Sequence, residues 1–152
     1  MKRLTYSKGI DSSPVWSPSG NQLAFTSDRS GSPQIYIMSD DGVNVTQLTH
    51  QGDYNDGAAW SPRGDAIAYS SRIHGIFQIC TTNANGEDLH QLTSGNANNE
   101  DPCFSPNGWV IAYTSDKSGR KQVYTMFIDG RPIERITNAE ASYSPAWSDY
   151  FP

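Results

Sequence analysis

The sequence has no long hydrophobic run, no cluster of basic residues and only two cysteines among its 152 residues. No apolar stretch approaches the roughly 18 residues that a membrane-spanning helix needs, so we predict that the chain does not span a membrane. The net charge is −5, and because a nucleic-acid surface needs clustered lysine and arginine, we expect no nucleic-acid partner. No signal peptide is visible in the first residues, MKRLTYSKGI, which lack an apolar core.

Motifs that would indicate catalysis or metal binding are also missing. Cys80 and Cys103 do not have a metal-ligand spacing, and we interpret them as buried free thiols that pack like small hydrophobic side chains. None of the three histidines belongs to His-Glu-x-x-His, and there is neither a Gly-x-Ser-x-Gly elbow nor a phosphate-binding loop. The sequence therefore predicts a protein that is not an enzyme, with no catalytic residue and no dedicated metal site.

What the sequence does contain is a repeated turn. The segments WSPSG, WSPRG and FSPNG begin at Trp16, Trp60 and Phe104, 44 residues apart, and a fourth aromatic, Trp147, follows after 43. The dipeptide Leu-Thr or Ile-Thr keeps the 44-residue step, starting at residues 4, 48, 92 and 136. A repeat of about 40 to 45 residues with turns for four strands is typical of a β-propeller.

Each repeat can be divided into four strands, A to D. In the first repeat, strand A ends at Trp16, strand B is QLAFTS, strand C is QIYIMS and strand D ends at Leu-Thr. Both faces of strand B are largely apolar, which fits a sheet packed between neighbouring sheets, and no helical period is present. We predict an all-β propeller fold of three four-stranded antiparallel blades, with repeats at approximately residues 3–46, 47–90 and 91–134. The aromatic residue that ends strand A is predicted to pack between blades.

Two segments carry a resemblance to a known family. NQLAFTSDRSGSPQIYIM (21–38) and IAYTSDKSGRKQVYTM (111–126), together with the ending SPAWSDYF, resemble TolB-type propellers of the bacterial Tol–Pal system. The resemblance implies a non-enzymatic, periplasmic, protein-binding propeller of six blades that follows an α/β domain. It also implies binding to a Pal-like peptidoglycan-associated lipoprotein and to other Tol components, in support of outer-membrane integrity and cell division.

The chain departs from that pattern because it contains only three repeats. The strand order is D, then A to D three times, then A, with a predicted closing strand at residues 142–149. The flanking D and A strands belong to a blade whose B and C strands are missing. The chain is then either the C-terminal half of a longer propeller or a natural half-propeller that assembles from two chains. We expect open apolar faces on the outer blades, and hence self-association or the remainder of a longer propeller.

The loops that lead from strand D into strand A are polar and acidic, and propeller geometry places them on one face. The resemblance implies that this face binds the Pal-like partner; the alternative is ordinary loop polarity from turn-forming Asn and Asp. The carboxylates of Asp11, Asp56, Glu100 and Asp101 are expected to converge at the channel mouth. No cofactor is predicted, although such a ring could hold Ca²⁺. The predicted partner-binding residues are Asp11, Ser12, Tyr54, Asn55, Asp56, Asn98, Asn99 and Glu100.

Two further features leave alternatives open. Asp28 and Asp116 are predicted to cap the turn between strands B and C. Trp109 either anchors a partner or packs on a neighbouring loop. A second candidate function is that of an accessory, substrate-filtering propeller of a serine peptidase of the prolyl oligopeptidase or tricorn type, but the ending AWSDYFP favours the Tol–Pal function.

Overall fold

The computed structural model describes residues 2–138 and 140–148, which form twelve β-strands and contain no helix. Consequently, no helix that could cross a membrane is found in the described part of the chain. The strands form three four-stranded antiparallel sheets, each made of strands consecutive in sequence. The predicted all-β fold of three blades is confirmed.

The blades repeat the same order of long and short strands. Blade 1 contains β1 (Asp11–Trp16), β2 (Gln22–Ser27), β3 (Gln34–Ser39) and β4 (Thr46–Gln47). Blade 2 contains β5 (Asn55–Trp60), β6 (Ile67–Ile73), β7 (Ile76–Thr82) and β8 (His90–Gln91). Blade 3 contains β9 (Asn99–Phe104), β10 (Val110–Ser115), β11 (Gln122–Phe127) and β12 (Pro132–Arg135).

The first strand of every blade has a bulge at the same place. Ser13, Gly57 and Asp101 have φ values of 50°, 66° and 53°, and the pairing register of β1, β5 and β9 shifts around them. An extra residue in one strand of an antiparallel pair produces such a shift and bends the strand. The repeat in sequence is therefore also a repeat of a left-handed backbone position.

The segment 140–148 has the backbone of a first strand without forming one. Ser144 has φ 53°, like Asp101 one repeat earlier, yet no strand is assigned between residues 140 and 148. The prediction of a closing strand at residues 142–149 is corrected for its described part; Asp149 lies outside the described residues. A first strand forms by pairing with a second strand. Every second strand of the described chain already pairs with the first strand of its own blade, so none is left for residues 140–148.

Two hydrophobic seams join the three blades. At the first seam, Ala24, Ile35, Ile37 and Leu48 of blade 1 pack against blade 2, which contributes Trp60, Ile67, Tyr69 and Cys80. At the second, Ala68, Ile79 and Leu92 of blade 2 pack against blade 3, which contributes Phe104, Ile111, Tyr113, Tyr124 and Met126. Trp60 and Phe104 thus confirm the prediction that the aromatic ending strand A packs between blades.

The outer face of blade 1 is less open than we predicted. Its apolar side chains, Leu23, Phe25, Tyr36 and Met38, are all buried, with Leu4 packed against them. The chain before β1 therefore covers part of the surface that a preceding blade would cover. Trp16, at the margin of this face, remains 51% exposed.

Candidate functional site

The loops before strands β1, β5 and β9 are each tied to the turn between the second and third strands of the same blade. The amide N–H groups of Asp28, Arg72 and Asp116 donate to the carbonyl oxygens of Ile10, Tyr54 and Asn98, at 3.3, 2.8 and 3.2 Å. Loop and turn therefore form one continuous surface on every blade. We call the three together the loop face.

Asp28 and Asp116 reach across this contact instead of capping their own turn. The carboxylate of Asp28 accepts the N–H of Ile10 at 2.7 Å, and that of Asp116 accepts the N–H of Asn98 at 2.8 Å. The turn N–H groups of Arg29 and Lys117 instead donate to the hydroxyls of Ser27 and Ser115. The prediction of turn capping by Asp28 and Asp116 is corrected, because the carboxylates are used by N–H groups of the preceding loop and the adjacent serines accept the turn N–H groups.

Blade 2 has a charged aromatic cluster at the equivalent position. The Arg72 guanidinium donates to the Asp53 carboxylate at 2.9 Å and lies 5.4 Å from the centre of the Tyr54 ring. The Tyr54 ring in turn meets the edge of Phe77, with ring centroids 5.6 Å apart. The hydrogen bond from Arg72 lowers the pKa of Asp53. Sequence reasoning missed Arg72, although its place at the Asp28 position of the repeat could have indicated a contact with the loop.

Asn55 and Asn99 lie beneath the loop face and support it from inside. Both are buried, at 0% and 4% exposure. Their side-chain amides donate to the Oε1 atoms of Gln34 and Gln78 in the preceding blade, at 2.7 and 3.0 Å. These two predicted partner-binding residues therefore have no surface to offer, because their amides are used to join blades.

The repeated Leu-Thr dipeptide belongs to the same network. The hydroxyls of Thr49, Thr93 and Thr137 donate to Gln34, Gln78 and Gln122 at 2.7, 2.8 and 2.7 Å. Each hydroxyl also accepts the backbone N–H of the residue after that glutamine, at 2.8 to 3.0 Å. A threonine–glutamine pair thus closes the outer edge of every blade, and an asparagine from the next blade joins the first two.

Each carboxylate of the predicted ring has its own partner. Asp11 pairs with Arg29 at 2.9 Å, and Glu100 pairs with Lys121 at 2.7 Å. Asp56 accepts the hydroxyl of Thr26 from the preceding blade at 2.6 Å, and Asp101 accepts the hydroxyl of Ser144 at 3.2 Å. Among the described residues, no group of three His, Cys, Asp or Glu side chains is placed to hold a metal ion.

The pKa of Asp11 lies well below its usual value. Burial opposes its ionisation, but hydrogen bonds from Ser27, Arg29, Thr5 and Ser7 outweigh that effect and lower the pKa of Asp11 to about 2. The Arg29 guanidinium also lies over the Tyr36 ring, 4.9 Å from its centre. Asp11 is therefore an ionised group held in place by blade 1.

The remaining predicted residues give the loop face its accessible chemistry. Ser12 is exposed, and Tyr54, Asp56, Asn98 and Glu100 are partly exposed. They are accompanied by the cations Arg29, Arg72 and Lys121, which sequence reasoning did not select. The face thus presents paired charges of both signs, with hydroxyl, amide and aromatic groups between them.

Trp109 lies on a different part of the surface, in the turn after β9. It is 57% exposed, and the Arg63 guanidinium of blade 2 stacks over its ring at 4.3 Å. Arg63 is itself paired with Asp65 at 2.8 Å. The structure therefore shows Trp109 packed on the neighbouring turn.

The groups that could support catalysis are dispersed. His50, His74 and His90 are all exposed. Cys80 and Cys103 are free thiols, as predicted; Cys80 is buried, but Cys103 is only half-buried, which corrects the prediction that both are buried. Burial raises the pKa of each thiol to about 11, so neither is a ready nucleophile.

Comparison with known proteins identifies relatives of the repeat. The family model described as the TolB beta propeller domain matches residues 1–151. The Tol-Pal system protein TolB of Bordetella pertussis is 55% identical over 42 residues, which are 28% of this chain and 10% of that protein. The chain therefore matches about a tenth of the length of that curated relative.

Solved structures show the same architecture over most of the chain. TolB from Acinetobacter baumannii has a TM-score of 0.74 at 34% identity, covering 88% of this chain and 35% of that one. A putative TolB from Agrobacterium tumefaciens gives a TM-score of 0.80 at 26% identity, covering 86% and 47%. A puromycin-hydrolysing peptidase of Mycobacterium tuberculosis, at 13% identity and a TM-score of 0.77 over 97% of this chain and 25% of that one, shares the fold alone.

Proposed function

The chain belongs to the TolB β-propeller family, and from that premise we propose that it is a protein-binding module of the periplasmic Tol–Pal system, supporting outer-membrane integrity and cell division. The partner we propose is a Pal-like peptidoglycan-associated lipoprotein, bound together with other Tol components. In this proposal the chain binds its partners and catalyses no reaction.

The observation that carries this proposal is the loop face. Three blades present the same loop-and-turn surface, held in register by backbone hydrogen bonds between Asp28 and Ile10, Arg72 and Tyr54, and Asp116 and Asn98. Binding residues are commonly found on loops that a rigid scaffold positions, and here the scaffold is buried beneath them. The paired charges suit a partner with polar groups of both signs, because complementary charges favour specific docking.

The residues best suited to test docking are those whose substitution leaves the contacts between blades intact. Asp56 holds Thr26 of the neighbouring blade, so its replacement would disturb the fold as well as the surface. Ser12 and Glu100 occupy the same position in their repeats and are accessible without such a contact between blades. Ser12→Arg combined with Glu100→Gln therefore changes the surface while preserving the seams.

We expect this double variant to bind a Pal-like lipoprotein, purified without its lipid anchor, at least about tenfold more weakly than the unchanged chain, a loss of about 1.4 kcal/mol. The matched control is Ser19→Arg with Glu134→Gln, both exposed and away from the loop face. Isothermal titration calorimetry measures both, with thermal unfolding as a check on folding. Equal affinity of the two double variants would place the docking site elsewhere.

We also expect the purified chain to lack hydrolase activity. The three histidines are exposed, and both thiols have raised pKa values, so neither cysteine of the described chain is activated as a nucleophile. The assay uses peptide and ester substrates on protein purified by two independent routes. Turnover that follows the protein through both purifications would favour the peptidase-type alternative.

A further inference from the structure

The outer face of blade 1 repeats the face with which blade 3 packs on blade 2. Phe25 and Tyr36 have ring centroids 5.9 Å apart at 31°, and Tyr113 and Tyr124 have them 6.0 Å apart at 30°. A cation lies over the second ring in both, Arg29 at 4.9 Å from Tyr36 and Lys117 at 3.8 Å from Tyr124. The full sets are Leu23, Phe25, Tyr36 and Met38 in blade 1, and Ile111, Tyr113, Tyr124 and Met126 in blade 3.

The outer face of blade 3 repeats the face with which blade 2 packs on blade 3. Strand alternation places Ala68, Ile79, Thr81 and Leu92 of blade 2 on the face toward blade 3. The residues 44 positions later, on the outer face of blade 3, are Ala112, Val123, Thr125 and Ile136. The two outer faces of the chain are therefore near copies of the two faces that already form the second seam.

Exposure shows that both outer faces are incomplete. Trp16 is 51% exposed, whereas Trp60, one repeat later, is 9% exposed. Ile136 is 52% exposed, whereas Leu48, at the same position in blade 1, is 5% exposed. Trp60 and Leu48 are buried against a neighbouring blade, whereas Trp16 and Ile136, which have none, are exposed.

The terminal segments occupy the places of the missing neighbour's strands. The Leu4 carbonyl oxygen lies 2.9 Å from the point where a Cβ on Gly42 would stand, and the Leu48 oxygen lies 2.7 Å from the matching point on Gly86. Ser144 donates its N–H to Thr114 at 3.0 Å, as Asp101 does to Ser70 at 3.1 Å. The segments 2–8 and 140–148 thus imitate a last and a first strand, while leaving Trp16 and Ile136 half-exposed.

We propose that a second copy of this chain completes the seam. The outer face of blade 3 in each copy packs against the outer face of blade 1 in the other, so that two equal seams close a six-bladed ring. The segment that contains Ile136 in one copy takes the place of Leu4 in the other copy. In the same seam, β1 of that other copy, with Trp16, takes the place of residues 142–148 of the first copy. Both replacements exchange a segment for its own counterpart in the repeat, so the apolar packing of the second seam is repeated across the new one.

One polar contact changes character in the proposed seam. Asp11 stands where Asn55 and Asn99 stand in the later blades, and a carboxylate can only accept hydrogen bonds. In the two existing seams the asparagine amide donates to the glutamine Oε1, a bond that the Asp11 carboxylate cannot repeat with Gln122, so this one contact is not reproduced at the proposed seam.

The test is the mass of the full chain by multi-angle light scattering at micromolar concentration, for wild type and four single variants. Trp16→Ser changes the blade 1 face, and Ile136→Asp changes the blade 3 face. Trp109→Ser and Leu89→Asp are the controls, exposed at 57% and 39%; Trp109 is stacked on Arg63 of blade 2, and Leu89 belongs to blade 2, which contributes to neither outer face. We expect a dimer for wild type and controls, and a dissociation constant raised at least tenfold in the two face variants, with unchanged far-UV spectra.

Mixing the two face variants tests the head-to-tail arrangement. Trp16→Ser keeps an intact blade 3 face and Ile136→Asp an intact blade 1 face, so the mixture regains one wild-type seam and should associate more than either variant alone. A wild-type monomer would overturn the proposal. So would a mass that grows beyond two copies, equal loss in the controls, or sensitivity to only one face, which would indicate a symmetric contact.

Discussion

Thr49→Val is expected to lower the free energy of unfolding by about 2 to 3 kcal/mol, because it removes a hydroxyl that two buried groups depend on. That hydroxyl donates to Gln34 at 2.7 Å and accepts the backbone N–H of Ile35 at 2.9 Å. Thr49 and Ile35 are 1% and 0% exposed. Valine has nearly the shape of threonine, so packing is preserved while the Ile35 amide is left without an acceptor.

The measurement is urea unfolding, with Thr46→Val as the control. Thr46 lies on β4, three residues before Thr49, and is exposed, so its replacement should change stability by less than about 0.5 kcal/mol. Both variants are compared at one protein concentration, since association would otherwise shift the apparent stability. If Thr49→Val and Thr46→Val unfold together, the threonine–glutamine pair does not hold the edge of the blade.

The strands could be predicted from the sequence because turn and strand patterns are local. QLAFTS and QIYIMS coincide with β2 and β3 to the residue. The recurring aromatic was also correctly assigned to the seam, since a large apolar side chain in a repeat must be buried against a neighbour. The fourth strands were longer in prediction than in the structure, because Thr49 and Thr93 leave the ladder to bond with side chains.

The site was harder to predict because polarity does not reveal exposure. Asn55 and Asp56 are adjacent polar residues that were predicted to lie in one loop, but both belong to β5; the first is buried against Gln34 and the second is partly exposed. Strand alternation could have separated them, had the predicted strand A of that repeat been extended back to Asn55. The partners Arg29, Arg72 and Lys121 lie 18 to 21 positions after the residues they contact, a distance at which no local pattern indicates pairing.

Repeat position proved more informative than residue type. Arg72 at the Asp28 position still contacts the loop before the first strand of its blade. Asp11 at the Asn55 position bonds to Ser7, which lies one repeat before the Gln51 that Asn55 contacts. The propeller backbone therefore fixes which residues meet, while the side chain decides whether the contact is an ion pair, an amide bond or a stacked ring. The same logic identifies Leu4 and Ser144 as substitutes for the strands of a neighbouring blade.

Trp60→Ala is expected to produce the largest loss of stability, about 3 to 5 kcal/mol, since truncating a buried aromatic removes its burial and leaves a cavity. Trp60 is 9% exposed and lies in the cluster that joins blades 1 and 2, with Ile67, Tyr69 and Cys80. The faces that blades 1 and 2 turn toward each other are buried by this seam, so its loss should uncouple the two blades.

Two further variants separate burial from the presence of an indole ring. Trp109→Ala, at 57% exposure, removes the same side chain from the surface and should cost less than about 1 kcal/mol. Trp60→Phe keeps an aromatic at the seam, as Phe104 does in blade 3, and removes an indole N–H that has no hydrogen-bond partner among the described residues. It should therefore cost less than about 1.5 kcal/mol. Urea unfolding followed by far-UV circular dichroism ranks the three; a Trp60→Ala protein as stable as Trp109→Ala would show that the seam between blades contributes little to the fold.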